Sequence, residues 1–215
     1  MKKIVVLVSG SGSNLQAIIE NCNAKYINAE IISVISNNPN AYGLERAASA
    51  NIDSIVINNK DFISRDHFDS KLIKILDDLN PDLIILAGFM RILTEKLTNK
   101  YIGKIINIHP SLLPKYPGLN THQRVIENQD LVHGVSIHYV SSKLDCGPLI
   151  AQGEIKTKRY DDISHLIERI HKVEHLIYPE IIKYICEDRI HLESNEVKFK
   201  NITTTESIIY NKYEI

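Results

Sequence analysis

The chain has few of the features that mark a secreted, membrane or nucleic-acid-binding protein. Its 215 residues contain only three cysteines, an odd and sparse set that is typical of reduced thiols in a cytosolic protein rather than of a disulfide framework. The formal net charge is −1, which argues against a general nucleic-acid binder because such proteins carry a basic excess. No stretch approaches the roughly 18 apolar residues of a membrane span. These absences predict a cytoplasmic protein that binds small molecules, with no nucleic acid and no membrane among its partners.

The amino terminus also lacks a secretory signal. Two lysines follow Met1, but the apolar run at residues 4–8 is too short for a signal peptide and leads directly into Ser-Gly-Ser-Gly. No internal repeat and no interdomain linker is visible in the sequence. A chain of this length suits one α/β domain with a single core.

Short β-branched runs alternate with amphipathic segments along most of the chain. The predicted strands are 3–9, 30–36, 54–58, 83–87, 105–109, 132–140 and 149–156, and the predicted helices are 14–21, 42–50, 65–79, 94–101, 119–128 and 161–187. This alternation predicts a single-domain α/β fold in which a mostly parallel seven-stranded sheet is covered by helices on both faces. Pro179 lacks a backbone N–H, so we expect it to kink or break the last helix.

The most informative segment is residues 107–118, Asn-Ile-His-Pro-Ser-Leu-Leu-Pro-Lys-Tyr-Pro-Gly. Side chains alternate between the faces of a strand, so Asn107 and His109 share one face, roughly 6.6 Å apart at Cα. An amide donor beside a titratable ring suits the stabilisation of a developing oxyanion coupled to proton transfer. The alternative is a strand that ends in polar residues because it reaches the surface there.

Asp145 is the candidate partner of the His109 ring. It stands in the sequence Leu-Asp-Cys-Gly-Pro, residues 144–148, which predicts a tight turn between two strands. A carboxylate at such a turn can face His109 and favour its charged form. The alternative is an aspartate that caps only its own turn, which is common in turns.

A glycine-containing loop, Ser-Gly-Ser-Gly-Ser-Asn at residues 9–14, follows the first strand and opens the first helix. Glycines allow close backbone approach and a helix N-terminus presents free N–H groups, so the loop predicts a phosphate site. Asn14 is also a good N-cap. The dinucleotide fingerprint fits less well because its third glycine would fall at Leu15, and a P-loop is excluded because the Gly-Lys pair is missing.

Residues 171–175, His-Lys-Val-Glu-His, match the pattern of the inverted zinc peptidases. A catalytic zinc needs a third protein ligand, and no later helix supplies an obvious carboxylate. His133 and His138 have opposite strand parity, so they do not form a metal pair on one face. The sequence therefore predicts no metal, and it favours a polar helix face with Glu174 turned towards a polar ligand.

Five motifs occur in a specific order along the chain. They are Ser-Gly-Ser-Gly-Ser-Asn-Leu-Gln-Ala-Ile at 9–18, Ala-Gly-Phe-Met-Arg-Ile-Leu at 87–93, the segment 107–118, the turn 144–148, and Glu-His at 174–175. Together they resemble the phosphoribosylglycinamide formyltransferase family, over residue 2 to roughly residue 190. The resemblance implies the formyltransferase fold with a Rossmann-like N-terminal half and a catalytic domain at 1–190. Residues 191–215 are a C-terminal extension, in which the weaker residue pattern predicts a hairpin and a mobile Thr-rich tail.

The family resemblance also implies an activity and a set of site residues. The implied reaction moves the formyl group of 10-formyltetrahydrofolate to the amine of glycinamide ribonucleotide in purine biosynthesis, without a metal, in a monomer or homodimer. The implied catalytic residues are Asn107, His109 and Asp145. The implied phosphate and ribose site comprises Gly12, Ser13, Asn14, His171, Lys172, Val173 and Glu174. The implied folate site comprises Arg65, Met90, Arg91, Ile92, Leu93, Asn107, Ser141, Ser142, Lys143, Leu144 and Asp145. His171 stands where the family pattern has glutamine, and Cys146 replaces a small residue.

Three alternative functions compete with this interpretation. Methionyl-tRNA formyltransferase adds a C-terminal tRNA-binding domain, for which this chain is too short and too neutral. Formyltetrahydrofolate hydrolase adds an N-terminal regulatory domain, and the first predicted strand at Lys3 leaves no room for one. A non-catalytic nucleotide- or folate-binding module would explain the glycine loop but not Asn107, His109 and Asp145 together.

Overall fold

The computed structural model describes residues 1–158, 161–204 and 208–215. The strands are β1 (Lys2–Val8), β2 (Ala29–Ser36), β3 (Ser54–Val56), β4 (Leu83–Leu86), β5 (Ile105–His109), β6 (Val132–Tyr139), β7 (Leu149–Lys156), β8 (Ile190–Glu193), β9 (Glu196–Phe199) and β10 (Ile209–Lys212). The helices are α1 (Ser13–Asn23), α2 (Tyr42–Ser49), α3 (Arg65–Leu79), α4 (Glu95–Lys100), α5 (Thr121–Glu127) and α6 (Ile163–Cys186). None of the helices in these ranges is long and apolar enough to span a bilayer.

The main sheet has the strand order β10-β7-β6-β5-β4-β1-β2-β3. Its pairs are parallel except for β5 with β6 and β6 with β7. The predicted α/β class with a mostly parallel sheet is therefore confirmed. The predicted count of seven strands is wrong, because β10 adds an eighth strand alongside β7.

Helices cover both faces of this sheet, as the sequence predicted. Ile4 and Val6 of β1 belong to one buried cluster, with apolar side chains of α1 and α6. Val5 and Leu7 belong to a second cluster, with side chains of α3 and α4. Successive residues of a strand point to opposite faces, so a strand buried on both sides is continuously apolar. The run at residues 4–8 is explained by this double burial.

The C-terminal residues form more regular structure than the sequence indicated. β8 and β9 pair as an antiparallel hairpin in the 191–215 extension region. A mobile tail was predicted beyond it, but Ile209–Lys212 is a strand, held at the sheet edge by the buried side chain of Ile209. The Thr-rich stretch before it includes Thr205, which lies outside the described residues.

Buried Arg169 of α6 binds Ile215, three residues after β10, and the end of β7. Its Nε donates to the Ile215 carbonyl oxygen (2.9 Å), its Nη1 to Asp161 Oδ2 (2.6 Å) and its Nη2 to the Lys156 carbonyl oxygen (2.6 Å). The Arg169 and Asp161 side chains are only 10% and 8% exposed, so neither charge is well solvated. A buried ion pair of this kind is costly to break from one side only.

We expect Arg169→Met to lower the free energy of unfolding by about 3–5 kcal/mol, because it leaves the Asp161 carboxylate buried without its partner. Urea denaturation followed by circular dichroism measures this loss. Glu168→Met, at the exposed preceding position of α6, is the matched control and should change stability by less than about 0.5 kcal/mol. Equal urea midpoints for the two variants would show that the ion pair contributes nothing.

Helix α6 runs unbroken through Pro179, so the predicted break is wrong. The residues on either side of the proline explain why. Tyr178, Ile181 and Ile182 are all fully buried, and burying each such side chain contributes about 1.5–3 kcal/mol. Together they outweigh the penalty of about 3 kcal/mol for an interior proline. The Tyr178 hydroxyl also donates to the Leu86 carbonyl oxygen at 2.9 Å, which joins α6 to the end of β4.

The sheet topology places a crevice at the carboxyl ends of the central strands. β1 and β4 are neighbours in the middle of the sheet. The chain adds β2 and β3 on one side of this pair and β5 on the other, so the direction of strand addition reverses between β1 and β4. In open α/β sheets, ligands bind at such a switch point, beyond the carboxyl ends of the strands. The loops that follow β1, β4 and β5 all reach this edge.

Candidate active site

A cleft of about 650 Å³ opens at this edge of the sheet, and a smaller recess of about 80 Å³ shares its wall. The predicted site residues that line the cleft are Gly12, Ser13, Asn14, Met90, Arg91, Ile92, Asn107, His109, Leu144, Asp145, His171 and Glu174. Leu93, Ser141 and Lys143 line the recess. The structure thus brings most of the predicted residues around one space.

Four predicted residues lie outside both spaces. Arg65, Ser142 and Lys172 are exposed, and Arg65 begins α3. The Val173 side chain is fully buried in the core, so only its backbone is available to a ligand. Their assigned roles stay predictions.

The glycine loop turns into α1 at Gly12, which adopts a left-handed conformation with φ 69° and acts as the N-cap. The alternative that Asn14 serves as the N-cap is therefore wrong, because α1 already begins at Ser13. No side chain caps the helix, so the N–H groups of its first turn remain available to an anion. A Cβ atom at residue 12 would lie 2.7 Å from Gly43 Cα, so glycine is required at this close approach.

Asn14 instead connects the loop to α6. Its Nδ2 donates to Glu174 Oε2 at 2.9 Å, and its Oδ1 is buried without a hydrogen-bond partner among the described residues. Burial raises the pKa of the Glu174 carboxyl to about 7, and the Asn14 hydrogen bond opposes this shift. Glu174 therefore changes charge near neutral pH, at the wall of the cleft.

At the other end of the cleft, Asn107 is oriented by a histidine that the sequence analysis did not select. Asn107 and His138 are direct partners in the antiparallel pairing of β5 with β6. His138 Nδ1 donates to the Tyr139 carbonyl oxygen at 2.9 Å, so its Nε2 accepts from Asn107 Nδ2 at 3.2 Å. Burial lowers the pKa of His138, which keeps the ring neutral and able to accept.

The His109 ring nitrogen Nδ1 faces the Asp145 carboxylate. His109 Nε2 donates to the Tyr116 carbonyl oxygen at 2.9 Å, and His109 Nδ1 is 3.4 Å from Asp145 Oδ2. Both neighbours are acceptors, so a ring that is protonated on both nitrogens satisfies both contacts. Asp145 Oδ2 also accepts from the Gly118 N–H at 2.8 Å. The carboxylate therefore faces His109 and the neighbouring loop.

His122 is a second cleft residue that sequence reasoning missed. Its Nδ1 is 3.0 Å from Nε2 of His133. Burial lowers the pKa of His122 to about 4 and that of His133 to about 3. Both rings are therefore neutral at physiological pH, and one donates to the other. No cluster of three or more His, Cys, Asp or Glu side chains within the described ranges is arranged to hold a metal ion.

The wall next to the recess is apolar and is ordered by backbone contacts. Met90 and Ile92 are 69% and 45% exposed, and Leu144 opposite them is 46% exposed. The Met90 N–H donates to Ser9 Oγ at 2.8 Å. The Arg91 guanidinium lies 4.0 Å from the centre of the Phe68 ring, and its Nε is buried without a partner among the described residues. This wall suits a flat, mostly apolar ligand with polar edges.

An open α/β sheet whose switch-point cleft joins a glycine loop at a helix N-terminus to an amide, a histidine and a carboxylate suits a group-transfer enzyme. Sequence comparison identifies the group that is transferred. The formyl transferase family matches residues 2–182, and the chain belongs to this family. The resemblance that the five motifs indicated is confirmed.

Individual relatives agree with this assignment. Phosphoribosylglycinamide formyltransferase of Escherichia coli K12 is 44% identical over 192 residues, which cover 89% of this chain and 91% of that protein. The Haemophilus influenzae Rd protein of the same name is 46% identical over 195 residues, covering 91% and 92%. The structure of the Coxiella burnetii phosphoribosylglycinamide formyltransferase is similar with a TM-score of 0.92 at 45% identity, covering 98% of this chain and 99% of that one.

Proposed function

We propose that this protein transfers the formyl group of 10-formyltetrahydrofolate to the primary amine of glycinamide ribonucleotide, a step of de novo purine biosynthesis. The observation that carries the proposal is the meeting of Asn107, His109 and Asp145 at one end of a cleft whose other end is an anion-binding loop. The family and its named relatives support the same reaction. The folate is a co-substrate that is consumed, not a resident cofactor.

The phosphate and ribose of the acceptor fit the end of the cleft at α1. The N–H groups of Ser13 and its neighbours offer donors and a positive dipole end to a phosphate. Glu174 lies beside them through its bond to Asn14, and a carboxylate there can accept hydrogen bonds from both ribose hydroxyls. We assign Gly12, Ser13, Asn14 and Glu174 to this half of the site.

The folate fits the wall formed by residues 90–93 and 141–145. Its ring system is flat and can pack on Met90, Ile92 and Leu144, while backbone groups at the rim bind the polar ring edges. Both ligands then meet at Asn107, which lines the cleft and the recess together. Holding two substrates in contact supplies much of the rate increase through proximity.

The chemistry follows from the groups at the meeting point. The acceptor amine attacks the formyl carbon, and the formyl oxygen gains negative charge in a tetrahedral intermediate. The Asn107 amide donates to this oxygen, and a doubly protonated His109, whose N–H groups face Tyr116 and Asp145, supports it through its positive charge. The amine loses a proton and N10 of the folate gains one, with Asp145 relaying it through water. Collapse of the intermediate breaks the bond to N10 and releases tetrahydrofolate and the formylated product.

A turnover assay of the purified protein with both substrates tests the proposal. Formyl transfer to the ribonucleotide at a rate that depends on both ligands supports it. Release of formate without the acceptor would instead support a hydrolase, and binding without turnover would support a non-catalytic module. The His109→Ala variant should lose the absorbance change that accompanies folate turnover.

The buried Glu174 carboxyl gives a prediction for pH. Its pKa is raised to about 7 in the free protein, and the ribose hydroxyls bind its ionised form. Ribonucleotide affinity should therefore rise as pH increases through about 7 and level off above it, with up to tenfold loss per pH unit below. Isothermal titration calorimetry between pH 5.5 and 8.5 measures this profile.

Glu174→Gln serves as the control, because glutamine has no charge to lose. The phosphate monoester of the ligand titrates near 6 and its primary amine near 8, and both contributions are common to the two proteins. Glu174→Gln should bind more weakly at pH 8, and the ratio of the wild-type affinity to the variant affinity should rise through about pH 7 and level off above it. Identical profiles for both proteins would show that Glu174 does not contact the ribose.

We also infer a cytoplasmic protein that acts on small molecules as a monomer or homodimer and binds no nucleic acid. Its three cysteines are free thiols, as expected in a reducing compartment. Burial raises the pKa of Cys22 to about 11 and that of Cys186 to about 12, which makes both thiols unreactive. Light scattering coupled to size-exclusion chromatography measures the oligomeric state.

A further inference from the structure

Arg46 of α2 contacts the glycine loop without lining the cleft. Its Nε donates to the Ser11 carbonyl oxygen at 2.8 Å, and its Nη1 donates to Gln16 Oε1 at 3.1 Å. On the same side, the Gly43 N–H donates to the Gly10 carbonyl oxygen at 3.0 Å. Two consecutive carbonyl groups of the loop are therefore bound to α2.

These two contacts constrain the neighbouring N–H groups as well. In a trans peptide the C=O and the N–H of the same unit point in opposite directions. The carbonyl of Gly10 shares its peptide with the N–H of Ser11, and the carbonyl of Ser11 shares its peptide with the N–H of Gly12. With both carbonyls turned towards α2, both N–H groups point away from it.

The Arg46 side chain is itself held in place. Its guanidinium carbon lies 4.9 Å from the centre of the Tyr42 ring, and Gln16 anchors its far end. Its Cδ would lie 3.4 Å from a Cβ at residue 12, so it packs directly on the turn into α1. Because the planar guanidinium is already held by Tyr42 and Gln16, it fixes the direction of the Ser11 carbonyl at little further entropic cost.

We propose that Arg46 is a positioning residue for the substrate phosphate: by binding the Ser11 carbonyl, it aims the N–H groups of Ser11 and Gly12 into the cleft. The nature of the ligand rests on the proposed function, but the role of Arg46 requires only a phosphate at the loop. Asn14 Oδ1 is buried and has no partner among the described residues; as an acceptor it suits a hydroxyl of the ribose and not the phosphate.

Two variants separate positioning from charge. Arg46→Lys keeps the positive charge, but its single ammonium group cannot replace both the Nε bond to Ser11 and the Nη1 bond to Gln16. Arg46→Gln loses the positive charge as well. If positioning dominates, both variants should bind glycinamide ribonucleotide about 10- to 100-fold more weakly, which corresponds to one lost hydrogen bond to a charged group. If charge alone mattered, Arg46→Lys would bind as wild type.

The readout is a comparison of ligands with and without the phosphate, by calorimetry. Affinity for the dephosphorylated riboside, KM for the folate and kcat at saturation should stay within about twofold of wild type in both variants, since only phosphate binding is affected. Glu45→Gln, at the neighbouring residue of α2, is the control and should change none of these. A general loss of structure would instead weaken every ligand and lower Tm.

A measurement on the wild-type protein tests the geometry without any substitution. Titration with inorganic phosphate, followed by amide NMR, should shift the Ser11 and Gly12 resonances with those of the first turn of α1. Unchanged Ser11 and Gly12 resonances, or normal ribonucleotide affinity in Arg46→Lys, would overturn the proposal. Failure of formyl transfer with intact phosphate binding would overturn the proposed function instead and leave the role of Arg46 in place.

Discussion

Asp145→Asn should lower kcat by about 10²–10³-fold while both substrates still bind. Asp145 Oδ2 both accepts the Gly118 N–H and faces His109 Nδ1, so the asparagine oxygen can keep these two contacts and the turn keeps its anchor. The amide nitrogen then takes the place of Oδ1, which lies 3.8 Å from His138 Nε2. What is lost is the negative charge 3.4 Å from His109 Nδ1, which in the proposed mechanism orients the ring and relays the proton. Single-turnover kinetics with pre-bound substrates measures the chemical step directly.

Asp66→Asn, at an exposed position of α3, controls for a change of net charge and should turn over as wild type. Substrate dissociation constants should change by less than about threefold in Asp145→Asn, since the loss is confined to the transition state. Near-normal turnover in this variant would remove Asp145 from the mechanism.

Asn107→Ala is expected to have an effect of similar size, a loss of about 10²–10³-fold in kcat, because it removes a donor aimed at the developing oxyanion. The expected mechanism also predicts how the two substitutions combine. In the proposed mechanism Asn107 and Asp145 act on the same intermediate, so the double variant should lose far less than the product of the two single losses. Rate constants for the two single variants and the double variant form the measurement.

Asn99→Ala, on the exposed side of α4, is the matched control for loss of an amide. His138→Phe is an informative companion variant, because it leaves Asn107 in place but removes the ring nitrogen Nε2 that accepts the hydrogen bond of Asn107. We expect an intermediate loss there, since the amide is then free to rotate. Multiplicative losses in the Asn107 and Asp145 double variant would argue that the two residues act at separate steps.

Local sequence patterns were sufficient to predict much of the fold and part of the site. Period-two alternation placed Asn107 and His109 on one face of β5, and both line the cleft. The bounds of β5, β7 and α3 agree with the predicted ranges. Continuous apolar runs and helical spacing are local properties, which is why they were readable from the chain alone.

The errors arose where a distant contact overrides a local preference. Asn14 has a good N-cap side chain, but Gly12 turns the chain two residues earlier and Asn14 instead binds Glu174, 160 residues away. Pro179 disfavours a helix, but the buried residues around it hold α6 together. β10 was missed because a short strand gains its stability from its pairing with β7 and from the burial of Ile209, not from its own sequence.

The missed residues of the site have a similar explanation. His138 meets Asn107 only because β6 runs antiparallel to β5 in one particular register. A signal was present, since His138 has the strand parity needed to face Asn107 across that pair, but the register itself could not be read from either strand. His122 of α5 contacts His133 of β6 through a single pair of ring nitrogens, for which the sequence offers no pattern.

The hydroxyl of Tyr178 gives the cleft a fixed span. It donates to the Leu86 carbonyl oxygen (2.9 Å) and approaches the Ile106 carbonyl oxygen (3.4 Å). Tyr178 lies one helical turn after Glu174, and Ile106 immediately precedes Asn107. The hydrogen bonds of Tyr178 therefore fix the distance between the Glu174 carboxylate at one end of the cleft and the Asn107 amide at the other. An acceptor with one extra methylene between ribose and amine should bind at both ends yet carry its nitrogen past the formyl carbon, where a misplacement of about 1 Å costs about 10²-fold in rate. Selectivity for substrate length is therefore built into the frame of the protein.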